Sequence, residues 1–339
     1  MELYFSTIVR GASIEKGGEL VWLDWETKRI RNRVPIFPEN PAFDDPNPRG
    51  NSRGGRGVAI LADGRAAVAS YHSLYLFSPD LKEKTQVTNN LLAGIHEVTR
   101  TARGTLLVAS TALDAALELD PSTGNALAQY WPREMPEIQN ALGVAPLEIN
   151  KQIDNRLLYL EEKHIRHSSH VHLNIATEWN GEVYGLLHAY GAVANLSRGQ
   201  IMFRDAGLKG AHNLILREDG TAIINNTYEQ SVQLYDLKTG HLVKDIHLTD
   251  FAAVKKLVTP LQKAKYTLRG ALNRLGLKYV SNPLPYFVRG LDVANGQAYV
   301  GLSPSTILQI DLASGNLVDW FTYSHDLASC VHGVAVKVS

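Results

Sequence analysis

The chain lacks the features that mark a disulfide framework, a thiolate metal site or a membrane span. Its 339 residues contain a single cysteine, Cys330, which excludes an intrachain disulfide and a cysteine-rich zinc cluster. No run of 18 apolar residues occurs, so no transmembrane helix is predicted. Near Met1 we find no charged segment followed by an apolar one, and the cytoplasm is the expected compartment.

An excess of charge of one sign is also lacking. The 34 Lys and Arg residues balance 34 Asp and Glu residues, so the formal net charge at pH 7 is zero. A neutral chain is not suited to a polyanionic surface as a whole, and no nucleic-acid partner is predicted. Residues 251–280 are the local exception, because they hold seven Lys and Arg residues and no acid.

A short repeated pattern organises the rest of the chain: a basic residue, a small or polar residue, and then apolar residues. It begins at Arg56, His96, His172, His212, Arg289 and His332, at successive spacings of 40, 76, 40, 77 and 43 residues. One period of about 40 residues explains the set if three repeats carry insertions of about 36, 37 and 23 residues. Glycine turns between apolar runs, such as Asn180-Gly181 and Asp219-Gly220, predict antiparallel hairpins within each repeat.

These observations predict an all-β fold, a single six-bladed β-propeller over residues 1–339. Five blades are expected at 56–87, 96–130, 172–206, 211–247 and 289–322. The sixth combines 2–29 with 330–339, so the two ends of the chain close the ring in one blade. The insertions, partly helical, are predicted at 30–55, 131–169 and 250–287, all covering the face where the repeated basic residues begin their strands.

Equivalent positions in a propeller converge on its central axis, so the repeated basic residues predict a functional site there. Four of them are histidines, His96, His172, His212 and His332. Imidazoles without a carboxylate suit iron, zinc, copper or nickel, and we predict that these four hold one such ion. The structural alternative is that they are polar residues lining a wet channel.

The two remaining axial residues, Arg56 and Arg289, indicate an anionic substrate or a carboxylate partner such as Glu97. Loops on the same face supply candidates for proton transfer, namely His72, His188 and Tyr228. The candidate substrate contacts are Arg56, Arg289, Asn174, Asn213 and Asn226. A helical pattern over 252–277 predicts either a lid over the site or, as the less favoured alternative, a helix that contacts a membrane through 252–278.

The axial histidines resemble those of two enzyme families. Peptide-amidating lyases hold zinc with histidines in a six-bladed propeller, and carotenoid-cleaving oxygenases hold iron with four propeller histidines. Residues 172–174 (HLN) and 212–226 are similar to segments of the aryl sulfotransferases, which use axial histidine and arginine without a metal. Asn213 stands where those sulfotransferases have Asp. These resemblances imply the architecture and the use of axial histidines, and they assign no specific family.

The predicted function is a metal-dependent enzyme, an oxidoreductase or a lyase, that acts on a small anionic organic substrate. Metal-free sulfuryl or phosphoryl transfer through an axial histidine is the first alternative. A non-catalytic binding propeller is the second, because this fold also serves recognition without chemistry.

Overall fold

Six antiparallel sheets of four strands make up the fold within residues 1–46, 53–274 and 286–337, which are the residues that the computed structural model describes. The innermost strands of successive sheets contact one another around a common axis, and the first contacts the last. The predicted six-bladed β-propeller is therefore confirmed. Residues 47–52 of the insertion predicted at 30–55, residues 275–285 of that predicted at 250–287, and the last two residues of the chain lie outside the described residues.

The first blade joins the two ends of the chain. Its outer three strands are β1 (Glu2–Val9), β2 (Glu19–Asp24) and β3 (Arg29–Pro35). Its innermost strand is the last of the chain, residues Ser329–Lys337, which runs antiparallel to β1. Because residues 29–35 form a strand, the connection to the second blade begins after Pro35, later than the predicted residue 30.

The other five blades are sequential meanders that start at the axis. The second contains β4 (Val58–Ile60), β5 (Ala66–Ala69), β6 (Leu74–Phe77) and β7 (Lys84–Val87). The third contains β8 (Ile95–Arg100), β9 (Leu106–Ser110), β10 (Ala115–Leu119) and β11 (Ala126–Tyr130). The fourth contains β12 (Leu173–Trp179), β13 (Glu182–Leu187), β14 (Ala192–Asn195) and β15 (Gln200–Arg204).

The fifth blade contains β16 (Ala211–Leu216), β17 (Thr221–Asn226), β18 (Ser231–Asp236) and β19 (Leu242–His247). The sixth contains β20 (Arg289–Ala294), β21 (Gln297–Leu302), β22 (Thr306–Asp311) and β23 (Leu317–Thr322), and the closing strand of the first blade is β24. Asn-Gly turns connect strands as expected. Both Asn180 (φ 52°) and Gly181 (φ 75°) have the left-handed backbone that a type I′ hairpin requires.

Buried apolar side chains lie between the blades. In the described residues they form six clusters, each built from two neighbouring blades. The cluster that closes the ring combines Phe5 of β1 and Val331 of β24 with Tyr299 of the sixth blade, all of them buried. Each blade is therefore stabilised by both neighbours, and the closing blade depends on the two ends of the chain together.

Four α-helices are present among the described residues, and all lie in connections between blades. They are α1 (Pro136–Leu142), α2 (Glu162–Ile165), α3 (Ala252–Leu257) and α4 (Pro260–Arg274). The helix predicted over 252–277 is divided, because Val258 has an extended backbone (φ −128°, ψ 123°) and Pro260 follows. Residues 275–277 of that prediction lie outside the described residues.

Candidate functional site

A β-bulge in the inner strands turns the repeated basic residues toward the axis. In β8 the pair His96 and Glu97 lies opposite a single residue, Ala109, because Ile95 pairs with Ser110 and Val98 with Val108. In β16, His212 and Asn213 face one residue of β17 in the same way. In β20 and β24 the pairing with the neighbouring strand also shifts by one residue at the equivalent position. A bulge re-aims a side chain without ending the strand, which explains why the pattern recurs at one position of the repeat.

The structure corrects the register of the fourth segment. Aligned on the bulge, the position equivalent to His96 is Leu173, since Ile175 pairs with Leu186 as Val98 pairs with Val108. Leu173 is fully buried in the apolar cluster between the third and fourth blades. His172 is one residue earlier, with a left-handed backbone (φ 55°). In this blade a buried leucine, and not a histidine, therefore occupies the repeat position.

His172 nevertheless reaches the axial cluster, because a carboxylate of the preceding blade holds its backbone. Asp114 accepts hydrogen bonds from the N–H groups of His172 (2.8 Å) and Val171 (3.0 Å). Asp114 is fully buried and lies 3.6 Å from the guanidinium of Arg133. This support crosses two blades, so no local sequence signal indicates it.

The four predicted metal ligands gather around His96. Its ring centroid lies 5.5 Å from that of His172, 5.8 Å from His212 and 5.6 Å from His332. All four side chains belong to different blades. The structure thus brings the predicted residues together, as axial convergence requires.

His188, predicted as a proton-transfer residue, lies between two of the predicted ligands and closes a loop of histidine rings. Its ring centroid lies 4.6 Å from that of His172 and 4.9 Å from that of His212. With His96 these residues form a loop of four imidazoles, in which the neighbouring centroids are 4.6 to 5.8 Å apart. His332 lies outside that loop and contacts it through His96.

Hydrogen bonds fix the protonation of two of these rings. Thr227 donates its hydroxyl proton to the carbonyl of Val288 (2.7 Å), so it accepts a proton from Nδ1 of His212 (2.7 Å). In the neutral ring of His212, Nε2 then keeps its lone pair. His332 has the same tautomer, because Arg56 donates to Nε2 (3.1 Å) and leaves the ring proton on Nδ1. That proton faces Oε1 of Glu97 at 3.8 Å.

Burial favours the neutral form of four of these imidazoles. It holds the pKa of His96 well below its ordinary value, and the charges of Arg289 and Arg56 act in the same direction. Burial likewise lowers the pKa values of His172 and His332 and lowers that of His188 to about 4. A neutral imidazole is the form that binds a metal or accepts a proton.

Three arginines lie beside this cluster, each with its guanidinium over an aromatic ring. Arg56 lies 4.2 Å from the ring centroid of Tyr71, and Arg289 lies 4.2 Å from that of Phe287. Arg10, which sequence reasoning missed, lies 4.3 Å from the same Phe287 ring. Stacking on a ring presents the N–H edge of a guanidinium to an anion. Arg10 follows β1 outside the repeat, so the repeat pattern carried no signal for it.

Glu97 occupies the axis below the histidines. Its Oε1 accepts a hydrogen bond from Asn213 (3.1 Å), and burial raises the pKa of Glu97 to about 8. Gly57, the equivalent residue of the second blade, leaves room for it, since a Cβ there would lie 2.3 Å from Oε2 of Glu97. On the far side, Glu97 and Asn213 line an axial channel of about 300 Å³ formed by all six inner strands.

A cavity of about 480 Å³ opens beside the closed histidine loop. His172 and His188 form its inner wall, and Arg166, Lys209 and Tyr228 form part of its outer wall. Tyr228 is 58% exposed. A pocket of about 80 Å³ adjoins it between His96, His172 and Tyr159. The cluster is thus reached from the face that carries the long connections.

Two other predicted site residues, His72 and Asn226, do not contact the histidine cluster. His72 is buried and stacks on Phe43 of the first connection, with centroids 4.2 Å apart, and its pKa is lowered to about 4 by burial. Asn226 is buried and donates to the carbonyl of Gly207 and to Gln233 of its own blade. Asn174 stays at the site, where its Nδ2 lies 2.9 Å from Nδ1 of His188.

Metal binding at this site requires the rings to turn. In the described residues, no three His, Cys, Asp or Glu side chains are arranged so that they could hold an ion as they stand. With metal–nitrogen bonds of about 2.1 Å, neighbouring imidazole centroids lie about 4.5 Å apart at right angles and about 5.2 Å apart at tetrahedral angles. The two spacings of His188 lie in this range, whereas His96 must move closer to His172 and His212. Separately, none of the helices in the described ranges has the length and apolar character of a membrane span.

Comparison with known proteins supports the architecture and goes no further. No family model matches the chain, and no curated protein matches it. A protein of unknown function from Bacteroides caccae aligns over 98% of each chain with 12% identity and a TM-score of 0.56. A structure of the nidogen–laminin complex aligns over 98% of this chain and 97% of that one, with 10% identity and a TM-score of 0.54. At these identities the likeness shows the propeller fold alone.

Proposed function

We propose that this propeller is a metal-dependent enzyme acting on a small anionic substrate, with the ion held by His96, His172, His188 and His212. The observation that carries the proposal is the closed loop of four buried imidazoles with centroids 4.6 to 5.8 Å apart. This set replaces His332 of the sequence-based prediction by His188. Nε2 of His332 already accepts a hydrogen bond from Arg56, whereas His188 lies next to both His172 and His212.

Contacts behind the rings support the same assignment. Metal-binding histidines normally use their second nitrogen in a hydrogen bond that orients the ring. Thr227 does this for Nδ1 of His212, and the carbonyl of Ala211 lies 3.0 Å from Nδ1 of His188. A bound iron, zinc, copper or nickel ion would supply Lewis-acid or redox chemistry.

The surrounding residues have separate tasks in this proposal. Arg56 and Arg289, held over the rings of Tyr71 and Phe287, bind the anionic group of the substrate. Nδ1 of His332 carries a proton beside Glu97, while Nε2 of the same ring contacts Arg56, so this ring is the proton donor in the proposal. We infer action in the cytoplasm, which is consistent with a single buried cysteine that has no disulfide partner.

Elemental analysis of protein purified without an affinity tag tests the proposal. We expect about one equivalent of a transition metal per chain, and we expect His188→Ala and His212→Ala to lose most of it. His332→Ala is the matched control, since it removes an axial histidine outside the loop and should retain the metal. Less than about a tenth of an equivalent after reconstitution with each candidate ion would overturn the proposal.

Metal-free group transfer is the second candidate, and one observation favours it. Thr227 leaves a lone pair on Nε2 of a neutral His212, which is the form that attacks a sulfuryl or phosphoryl group. This candidate expects a covalent adduct on His212 by mass spectrometry after incubation with an activated aryl sulfate or phosphate. Metal-free protein that forms no adduct would leave a binding propeller as the function.

A further inference from the structure

Helix α4 turns two of its three leucines, Leu261 and Leu268, away from the protein, whereas Leu272 is half-buried. Leu261 and Leu268 are 69% and 60% exposed, and a spacing of seven residues, two helical turns, places them on one side of the helix. Ala264 and Lys265 between them are also exposed. A helix at the surface of a globular protein normally directs its leucines inward, so we interpret this exposed apolar face as a contact surface for another molecule or a lipid layer.

The opposite side of the segment is anchored to the propeller. In α3, Val254 is fully buried, and Val258 just beyond it is 1% exposed, both in the apolar cluster between the fifth and sixth blades. Gln262 and Lys263 at the start of α4 are half-buried, and Nζ of Lys263 lies 6.0 Å from the ring centroid of Tyr286. The exposed leucines are therefore held outward by a fixed attachment.

The charge around this face is positive. No Asp or Glu occurs between Asp250 and Asp292, although the chain as a whole has no net charge. Lys255, Lys256 and Lys265 are exposed on or next to the two helices. Protruding leucines among lysines, without an acid, are the composition of a helix that lies in the interface of an anionic bilayer.

Other occupants fit this face less well. A second copy of the chain would bring the same lysines against each other across a two-fold axis, which is repulsive. The leucines also protrude from a convex helix and form no groove that would receive a peptide. We propose that α4 docks this propeller onto an anionic phospholipid surface, with Leu261 and Leu268 inserted among the acyl chains and the lysines at the headgroups.

This docking surface is independent of the proposed chemistry. The connection between β19 and β20 that carries α4 leads into the end of β20 where Arg289 lies, which is the face of the histidine cluster, but no residue of α4 lines the cavity beside His188. A 15-residue helix is about 22 Å long, enough to lie flat in the interface.

Vesicle co-sedimentation of the full chain tests the proposal. We expect binding to phosphatidylcholine vesicles that contain about 30% phosphatidylserine, little binding to phosphatidylcholine alone, and a loss of binding as salt rises. The double variant Leu261→Ser/Leu268→Ser should lower the partition coefficient at least about tenfold. Lys255→Gln/Lys256→Gln/Lys265→Gln should lower it to a similar extent and remove most of its salt dependence.

Two exposed apolar residues on outer strands provide the matched control. Leu127→Ser/Val318→Ser removes side chains that are 57% and 54% exposed, neither of them near α4 in sequence, and should leave vesicle binding unchanged. Circular dichroism and thermal unfolding of each variant establish that it is folded. The proposal would be overturned if wild-type protein did not bind anionic vesicles at low salt, or if the leucine variants bound them as strongly as wild type. Sedimentation that shows a dimer dissociated by the leucine substitutions would assign the face to a second copy instead.

Discussion

The hydroxyl of Thr227 is the most informative single group to remove. It donates to the carbonyl of Val288 and accepts from Nδ1 of His212, and the side chain is 1% exposed. In Thr227→Val a methyl group replaces the hydroxyl at nearly the same volume. One buried N–H and one buried carbonyl then lose their partner, and neither can reach bulk water.

The size of the effect follows from those two groups. A buried polar group without a partner costs about 1–3 kcal/mol, so we expect Thr227→Val, which orphans two such groups, to lower the free energy of unfolding by about 2–6 kcal/mol. Thr227→Ser keeps the hydroxyl and loses one methyl group, so it should lower that free energy by about 1 kcal/mol. If His212 holds an ion, Thr227→Val should also weaken metal affinity about 10- to 100-fold, because the ring loses its orienting contact.

Urea unfolding and ¹⁵N NMR of the imidazoles measure these effects. In wild-type protein the spectrum should show His212 neutral with its proton on Nδ1, and Thr227→Ser should preserve that pattern. Thr227→Val should allow the proton to move to Nε2. If Thr227→Val unfolds at the same urea concentration as Thr227→Ser, with an unchanged His212 spectrum, then the assigned tautomer and its support by Thr227 are wrong.

Two further predictions concern ring closure and the buried histidine outside the cluster. Gly333→Ala would place a methyl carbon 2.3 Å from the carbonyl oxygen of the neighbouring blade, so we expect a loss of about 2–3 kcal/mol in urea unfolding. Gly104→Ala is the control, because its new methyl group meets no atom within 4 Å and costs only the strain of a left-handed backbone (φ 83°), about 1 kcal/mol. Equal losses of stability in the two variants would contradict a tight blade junction. His72 has a pKa of about 4 in the folded chain, below the ordinary 6.5, so the unfolded chain binds its proton first, and stability falls from about pH 6.5 to pH 4 by about 3 kcal/mol. His72→Phe keeps the stacking on Phe43 and should remove this share, so parallel loss of stability in variant and wild type over that range would disprove the assignment.

Part of the site could be predicted from the sequence because it repeats. The period of about 40 residues and the glycine turns specify six blades, and closure places repeat-equivalent residues on one axis. His96, His212 and His332 meet there for that reason. Arg56 and Arg289 follow from the same pattern.

Register and partners required the tertiary structure. A one-residue shift of the pattern is compatible with the sequence of the fourth blade, and burial of Leu173 between two blades decided it. His172 then reaches the axis through a left-handed backbone held by Asp114, 58 residues earlier in the chain. His188 had no repeat signal, because its equivalents in other blades are different residue types.

The remaining differences have the same physical origin. His72 lies in the loop equivalent to that of His188 but two residues later along it, and it stacks on Phe43 of a long connection instead of joining the cluster. Leu261 and Leu268 fit a helical pattern, but periodicity alone does not tell whether such a face meets the protein core or another surface. The sequence determined the number and order of the blades through local turns and a repeated pattern, whereas contacts between residues far apart in the chain decided which imidazoles adjoin, which nitrogen carries each proton, and which leucines stay exposed.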